Sequence, residues 1–544
     1  MRSLALVGCL LGCSGGGSGS LELTLALPSQ SDLRPTGMTT VTVTAIAAGE
    51  SAIATTTEIG PDSRFNAGEF PVGNDVQLSV VLRDVSNRIV GVGEAGQVID
   101  ILGDKSTAIS IPVRRPFIYA SSGSALYSFD PTLDPRDMKF QGKLSGVTAP
   151  LFTISVGGDR LAVVSTDKVE VVMTATNMVT GSIPVPTGVR DAAAVPGTNK
   201  LAIAHSGGIA FIDLDTSTMQ NVAVGAVDRI SVGAASGGGM AAYGLVGRVV
   251  PPEKPTALAN CTGTSSIVAI NVDDPVMAVP QPLPVAISDI AAAPDAPRLY
   301  ATLPCTGRVA RVDGPFDPGE LGALTLTDVA MLPRAAVLTV AGDRVWAAGT
   351  RESVPKCANS SGLLTPCTPT TPVVCPQPSG TRLSYTEEGA AIIVQSIPLD
   401  GGTPIVLEAP GRRETIIDQD DVAKQHAQVL KSLGAVPIDL VTLPGGQYVG
   451  LVVKNRYYIE EYDPTGLQVI LPCLDVSTGD WLLFDMASSS IAQRVRTACQ
   501  LTPAGGGPSD VFMNWECDEP PIGQKSAFPP NYQPTSVGAL FGAR

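Results

Sequence analysis

The chain alternates hydrophobic and polar residues in short runs, and one such unit recurs along most of its length. One copy lies at residues 200–220 and reads KLAIAHSGGIAFIDLDTSTMQ. Its two apolar runs are separated by Ser206, Gly207 and Gly208, a pattern that predicts two antiparallel strands joined by a tight turn. Similar pairs of apolar runs occur at residues 117–131, 160–173 and 298–313. The sequence therefore predicts repeated β-hairpins.

A second β pattern precedes these repeats. Leucines occupy every other position from Leu21 to Leu27. Short strand-like runs separated by turn residues predict an antiparallel sandwich, and their pattern resembles immunoglobulin-like domains. We therefore expect residues 21–113 to form an Ig-like β-sandwich that acts as a spacer. The runs that follow the leucines lie at residues 39–46, 52–58, 76–82, 88–92, 97–101 and 107–113.

After Pro116 the hairpin pattern repeats with a period of about 40 residues. Aspartate turns follow several of the repeats, as at Asp130, Asp213 and Asp313. This combination resembles the YVTN/WD-like family of β-propellers, although no literal YVTN or GH…WD string is present. The resemblance implies an all-β chain with a seven-bladed β-propeller at residues 116–520 and a C-terminal tail at 521–544. The strands that open the repeats contain Ile118, Leu161, Leu201, Met240, Leu299, Val345 and Tyr448.

The first repeat lacks an innermost strand of its own. We expect the apolar run at residues 509–515, SDVFMNW, to supply it and to close the ring. Long insertions are predicted to emerge together on one face, at residues 249–264, 351–389, 411–434 and 456–479. One of them predicts a helix, because an apolar stripe follows an acidic start. The acidic residues are Asp418, Asp420 and Asp421, and the stripe is Val422, His426, Val429, Leu430 and Leu433.

The N-terminus reads MRSLALVGCLLGC, followed by Gly and Ser residues. The run Leu10-Leu11-Gly12-Cys13 resembles the lipobox of bacterial lipoproteins. It implies a signal peptide at residues 1–13 that ends at the lipidated Cys13, with a Gly/Ser tether at 14–20. Cys9 is an alternative lipidation site, and a buried N-terminal strand is the alternative to a leader. Because Ser14 follows Cys13, the family's sorting rule implies an outer-membrane lipoprotein of the cell envelope, anchored through lipid alone.

The remaining cysteines suit an exported chain. Their number is even, and their spacing does not fit a zinc site, so disulfides are expected. Cys261 and Cys305 lie on neighbouring repeats at the insertion-bearing face and form the favoured pair. The candidates are Cys261, Cys305, Cys357, Cys367, Cys375, Cys473, Cys499 and Cys517.

Net charge and motif content argue against several classes of function. A net charge of −15 argues against nucleic acid or an anionic membrane surface as partner. The chain has only two histidines and no GxSxG motif, and the aspartates at 418–421 lack the ligand series of an EF-hand. No catalytic residue, metal site or cofactor is predicted. The loop at residues 357–380 is equally well interpreted as a binding loop or as a disulfide-pinned insertion.

The sequence favours a non-catalytic binding or scaffold module whose protein or glycan partner binds the insertion-bearing face of the propeller. The alternative is a metal-dependent hydrolase of lactonase-like type, with its site in the central channel. Three or more Asp, Glu or Asn side chains converging on the axis would support that alternative. A third possibility is a structural subunit of an envelope assembly, whose sign would be an exposed apolar patch on the opposite face.

Overall fold

A computed structural model gives the fold, and every regular element in its described part is a β-strand. Among the described residues there is no helix that is long and apolar enough to cross a membrane. The structure describes residues 18–29, 31, 33–46, 53–60, 62–87, 89–103, 105–122, 125–129, 141–144, 146–147, 149–156, 160–173, 176–251, 261–314, 316–317, 320–341, 343–351, 355–358, 364–366, 383–385, 391–399, 401–410, 413–417, 427–442, 448–462, 469–485, 490–496 and 536–539.

The first eight strands form one sheet, here called the N-terminal sheet. They are β1 (Ser18–Ala26), β2 (Thr40–Ile46), β3 (Ile53–Glu58), β4 (Arg64–Pro71), β5 (Gly73–Arg83), β6 (Ile89–Glu94), β7 (Ile99–Ile101) and β8 (Ser106–Arg114). The order is β3-β2-β5-β6-β8-β1-β4, with β7 paired to β5. The two edges approach each other, because the Thr55 hydroxyl donates to the Ala67 carbonyl at 2.7 Å. The sheet is therefore nearly closed and barrel-like.

The predicted leucine alternation is present in β1. Leu21, Leu23 and Leu25 are buried, whereas Glu22 between them is exposed, so β1 contributes one face to the core. Most strands predicted in this region are present. The sequence analysis missed β4. The structure shows a single nearly closed sheet.

The rest of the described chain forms seven sheets of four or five strands. Each begins with a strand that we call its inner strand. From the inner strand outward they are β42 (Ser536–Ala539), β9 (Ile118–Ser122), β10 (Ala125–Phe129) and β11 (Gln141–Lys143); β12 (Phe152–Val156), β13 (Arg160–Val164), β14 (Lys168–Met173) and β15 (Met178–Pro184); β16 (Val189–Ala194), β17 (Lys200–His205), β18 (Gly208–Asp213) and β19 (Thr218–Ala223); β20 (Arg229–Ala234), β21 (Met240–Val246), β22 (Ser265–Asn271) and β23 (Gln281–Leu283); β24 (Asp289–Ala292), β25 (Leu299–Leu303), β26 (Arg308–Asp313) and β29 (Thr325–Met331); β30 (Val337–Ala341), β31 (Arg344–Arg351), β35 (Ala391–Pro398) and β36 (Ile405–Pro410); and β38 (Ala427–Thr442), β39 (Tyr448–Tyr462), β40 (Val469–Asp485) and β41 (Ser490–Arg496), with β37 (Arg413–Ile417) paired to β38.

Smaller strands lie in the connections between these sheets. Two pieces form a ribbon in the connection between β26 and β29, and three form a small sheet between β31 and β35. They are β27 (Phe316–Asp317) with β28 (Glu320–Leu321), and β32 (Pro355–Ala358), β33 (Leu364–Pro366) and β34 (Leu383–Tyr385).

The inner strands contact one another in sequence and return to the start. β12 contacts β16, β16 contacts β20, and the contacts continue through β24, β30, β38 and β42 back to β12. Apolar clusters fill the space between neighbouring sheets, as between the sheets that contain Tyr243 and Leu299. The arrangement is propeller-like, because the sheets pack face to face around a shared centre.

The predicted hairpin at residues 200–220 is confirmed. β17 and β18 pair antiparallel, with His205 opposite Gly208. The aspartate turn that follows is also present, since the Asp213 carboxylate accepts the backbone N–H groups of Asp215 and Thr216 at 2.9 and 3.0 Å.

The prediction for the closing strand was wrong. The strand that pairs with β9 on its inner side is β42, from the segment predicted as a tail. Residues 509–515 lie outside the described residues. A C-terminal strand does pair with β9, as expected, but it is a different one. The sequence patterns SDVFMNW and SVGA are too similar to show which of them pairs with β9.

The predicted helix was wrong where the structure describes it. Val429, Leu430 and Leu433 lie in β38, whose residues pair with both β37 and β39. Pairing on both edges supplies the backbone hydrogen bonds that a helix would otherwise make internally, so tertiary context overrides the local pattern. Asp418, Asp420, Asp421, Val422 and His426 lie outside the described residues.

The seven sheets have two distinguishable sides. One side carries the short connections that follow each inner strand and that precede each outermost strand, such as residues 195–199 and 176–177. We call it the turn side. The other carries residues 247–251 and 261–264, the strands β32 to β34, and the extended parts of β38, β39 and β40. We call it the insertion side. Alternating connections of an antiparallel sheet lie at opposite ends of its strands, so the two sides face opposite ways.

A glycine allows the close approach of two inner strands. A Cβ at Gly233 in β20 would lie 2.5 Å from the Ala293 carbonyl oxygen and 2.6 Å from the Ala292 Cβ. We expect Gly233→Ala to lower the free energy of unfolding by about 1–3 kcal/mol, because the strands must separate. Gly181→Ala in β15 is the control, since the nearest atom there is 4.0 Å away. Equal midpoints for both variants in urea unfolding would contradict this account.

Glu94 makes the N-terminal sheet sensitive to pH. Burial raises the pKa of Glu94 to about 7, although a hydrogen bond from Gln77 opposes the shift. The folded state therefore holds the proton more tightly than the unfolded state, and this stability is lost as the pH rises from about 4.5 to 7. We expect Glu94→Gln to remove this contribution, which is at most about 3 kcal/mol. Thermal unfolding at pH 5 and pH 8 tests it, and a Glu94→Gln gain that is no larger at pH 8 than at pH 5 would refute it.

Candidate functional site

In the described structure the inner strands have no paired strand on one edge, except where β37 pairs with the start of β38. Polar side chains bind backbone N–H groups on several of these open edges. Asp191 accepts the backbone N–H of Ile230 at 3.0 Å, from the inner strand of the next sheet. Asp289 accepts the N–H of Leu338 in the same way at 3.1 Å. Each carboxylate therefore joins its own sheet to the following one. Unpaired buried N–H groups are costly, which explains why these polar residues occur at the centre.

Arg229 lies among these carboxylates and is almost fully buried, with 6% of its surface exposed. Its Nη1 is 3.5 Å from Asp191 Oδ1, and its Nε is 3.4 Å from Asp289 Oδ1. Its Nη2 donates to the Ile438 carbonyl at 3.3 Å, beside Asp439 in β38. One guanidinium thus connects four sheets, from β16, β20, β24 and β38.

Arg248 extends this group toward the insertion side. It follows β21, and its Nε donates to the Ser288 carbonyl at 2.7 Å, next to Asp289. The Asp228 carboxylate accepts the backbone N–H groups of Gly247 and Arg248, both at 3.0 Å. Together the five charged residues form what we call the axial cluster. Its members are Asp191, Arg229, Arg248, Asp289 and Asp439.

The charges of the axial cluster are coupled. Burial opposes the charged form of Arg229, but the carboxylates of Asp289, Asp191 and Asp439 outweigh it and raise the pKa of this arginine. Burial also raises the pKa of Asp289, against the opposing effect of both arginines. Burial and the neighbouring Arg229 lower the pKa of Arg248 to about 10. Arg229 therefore stays protonated and compensates the carboxylates.

The contacts of the axial cluster are made within the fold itself. Three aspartates converge near the centre, as the hydrolase alternative required, but an arginine lies between two of them. Within the described ranges, no group of three His, Cys, Asp or Glu side chains could hold a metal ion. Asp191 and Asp289 bind backbone N–H groups and lie beside Arg229.

The sequence analysis did not find the axial cluster. A signal was present, because Asp191, Asp289 and Asp439 each directly precede an apolar run, AAAV, IAAA and LVTL. Placing those residues on inner strands required the sheet assignment. The position of Arg229 could not be inferred at all, since its partners lie up to 209 residues away in sequence.

Other residues singled out from the sequence have structural roles or lie elsewhere. His205 is buried, and it accepts the N–H of Gly207 at 3.1 Å through Nδ1, so Nε2 donates to the Asn221 side-chain oxygen at 2.8 Å. His426 lies outside the described residues. Cys367, Cys375, Cys499 and Cys517 also lie outside them. Cys357 lies in β32 and Cys473 in β40.

The favoured disulfide is present. Cys261 and Cys305 are bonded, and they join the connection after β21 to the turn between β25 and β26. In the same connection, the backbone N–H of Val249 donates a hydrogen bond to the Ile287 carbonyl at 2.8 Å. It therefore crosses from one sheet to the next on the insertion side, close to Arg248.

Exposed apolar side chains lie on the turn side. Val276, Met277 and Val279 in the connection between β22 and β23 expose 52%, 75% and 70% of their surface, and Met178 exposes 63%. They match the sign expected for an envelope assembly in the third sequence hypothesis. The described structure does not identify a molecule that covers them.

No protein-family model and no curated protein matches the chain. Among solved structures, the chain is similar to hydrazine synthase of Kuenenia stuttgartiensis, with 13% identity over 66% of this chain and 100% of that chain, at a TM-score of 0.34. It is similar to a complex of KlAtg21 with the coiled coil of AgAtg16, with 10% identity over 63% and 90%, at 0.35. It is also similar to the dihydro-heme d1 dehydrogenase NirN in complex with DHE, with 13% identity over 62% and 73%, at 0.28. Likenesses this low carry no argument about the fold or function of this chain.

Arg229 offers a direct test of the axial cluster. We expect Arg229→Gln to lower the free energy of unfolding by roughly 3–5 kcal/mol at pH 8, because it removes the buried cation that lies between Asp191 and Asp289. The loss should be smaller at pH 5, because burial raises the pKa of Asp289 and this carboxyl group is neutralised more readily there. Denaturant unfolding at both pH values measures the difference.

The matched control is Arg190→Gln, one residue before Asp191. Arg190 pairs with Asp228 and is 42% exposed on its side chain, so its loss should cost about 0–1 kcal/mol. Similar losses for the two variants would contradict a special role for Arg229.

Proposed function

We propose that this protein is a lipid-anchored component of the bacterial outer membrane that acts as a non-catalytic binding or scaffold module. Its seven sheets form a seven-bladed β-propeller, and the N-terminal sheet is an Ig-like spacer. The lipobox-like run that ends at Cys13, the net charge of −15 and the Cys261–Cys305 disulfide support an exported chain. The partner is a protein or glycan that binds the insertion side.

The single observation that carries this proposal is the position of Arg229. It occupies the centre, where a channel enzyme would bind its metal or substrate, and it connects inner strands of four sheets. A centre filled in this way supports a rigid ring that presents its connections to a partner. The hydrolase alternative is weaker, because the aspartates it needs are already bound within the fold.

The insertion side is the favoured binding surface because its connections are long and cross between sheets. The connection after β21 is held by a disulfide and by backbone hydrogen bonds to the next sheet. Long connections in compact domains are commonly functional. The exposed apolar residues around Met277 favour the structural-subunit hypothesis instead, so the two sides need to be compared directly.

Site-specific photocrosslinking in living cells tests the proposal. A benzophenone residue replaces Val250 on the insertion side or Met277 on the turn side; these side chains are 55% and 75% exposed and belong to the same sheet. We expect a discrete crosslinked partner from position 250, with much less product from position 277, by mass spectrometry of the purified adducts.

Each outcome decides between named alternatives. Crosslinks from position 277 alone would replace the proposal with an envelope assembly through the turn side. Absence of crosslinks from both positions, together with a stoichiometric divalent ion in the purified chain, would favour the hydrolase. If the binding proposal is correct, a chelator should leave the melting temperature of the purified chain unchanged.

A further inference from the structure

We propose that the N-terminal sheet is fixed against the turn side, so that the insertion side points away from the anchored end of the chain. This orientation rests on the lipid anchor of the proposed function, whereas the placement of the N-terminal sheet rests on contacts alone.

The first contact is made by Arg114 at the end of β8. The Arg114 side chain is buried, with 2% of its residue surface exposed, and its guanidinium lies 4.8 Å from the centre of the Phe117 ring. Its Nη1 donates to the Asn177 side-chain oxygen at 3.3 Å. Asn177 lies in the turn between β14 and β15, which belongs to the turn side. Burial of this cation by groups from both parts of the chain holds the junction in one geometry.

The second contact lies on a different part of the N-terminal sheet. Gly197 has a φ of +70° and lies in the turn between β16 and β17, also on the turn side. A Cβ at Gly197 would lie 2.7 Å from Val98 Cγ1, in the connection between β6 and β7. The backbone of this turn therefore approaches the N-terminal sheet closely. Two contacts on neighbouring sheets restrict rotation that a single contact at Arg114 would allow.

The chain that leads to the anchor leaves from the N-terminal sheet, on the turn side of the ring. β1 runs parallel to β8, with Ser20 beside Ser106 and Ala26 beside Pro112. The start of β1 therefore lies about 26 Å back along the strand direction from Arg114, where β8 leads into the ring. The opposite surface of the ring is the insertion side, one strand length further away.

Distances in the soluble chain that starts at Ser14 test the placement of the sheet without any membrane. Spin labels are attached in pairs through non-canonical residues. One replaces Leu102 beside the start of β1, and the other replaces Met178 on the turn side or Thr166 on the insertion side of the β12–β15 sheet. All three positions are exposed. We expect pulsed electron paramagnetic resonance to give one narrow distribution for 102–178 and a longer distance for 102–166. A 102–166 distance equal to or shorter than 102–178 overturns the placement.

Paired glycine variants test the second contact. Gly197→Leu should broaden or shift the 102–178 distribution, because the new side chain meets Val98. Gly238→Leu should leave it unchanged, since Gly238 has a similar φ of +88° in the corresponding turn of the next sheet but no atom within 4 Å of its Cβ position. Equal effects of the two variants would mean that backbone strain alone is responsible, and would overturn the second contact.

Orientation is measured on the full lipidated chain in phosphatidylethanolamine and phosphatidylglycerol vesicles that contain acceptor lipids. Energy transfer from a donor at position 178 should exceed that from position 166. Equal or stronger transfer from 166 overturns the orientation. Cys13→Ser should abolish membrane association. If the unaltered chain also fails to associate, the lipid anchor of the proposed function is wrong. The distances in the soluble chain still test the placement of the N-terminal sheet in that case.

Discussion

The unpaired edge of the inner strands, open in every sheet except where β37 pairs with β38, is the constraint on which the rest of the structure depends. Sheets that meet around a centre must satisfy backbone N–H groups that have no strand beside them. Asp191 and Asp289 do so from the preceding inner strand, and the Ser231 hydroxyl accepts the N–H of Ala292 at 2.9 Å in the same way. These bonds bring carboxylates into the centre, and Arg229 compensates their charge. The centre is therefore filled because of how the ring is joined.

A filled centre moves the functional question to the two sides of the ring. The turn side is in contact with the N-terminal sheet through Arg114 and Gly197, and it also exposes the apolar residues around Met277. The insertion side carries the longer connections, one of which is held to the next sheet by the Cys261–Cys305 disulfide. The axial cluster, the disulfide and the junction at Arg114 all restrict relative movement of parts of the chain. In the proposed function, they hold the binding surface in a constant geometry.

Sequence reasoning was most successful where neighbouring residues along the chain determine the structure. The hairpin at residues 200–220, the Asp213 turn and the leucine alternation of β1 depend on local pattern, and all three are present. It failed where a long-range partner decides. Leu430 lies in a strand because β37 and β39 flank it, and the strand beside β9 comes from Ser536–Ala539. The axial cluster belongs to the same class, since no local rule pairs Arg229 with Ile438.

The sequence by itself determined that this chain is made of short antiparallel strands in repeating units, because side-chain alternation and turn chemistry act over a few residues. It also indicated the Cys261–Cys305 pair, since the repeat placed both cysteines on neighbouring units. Only the tertiary structure decided that the N-terminal strands nearly close into one sheet and which strand lies beside β9. It alone placed an arginine among the central carboxylates. Those features depend on which strand edges pair and which charged groups lie together across hundreds of residues. Burial makes an unpaired polar or charged group costly, but only in the folded chain.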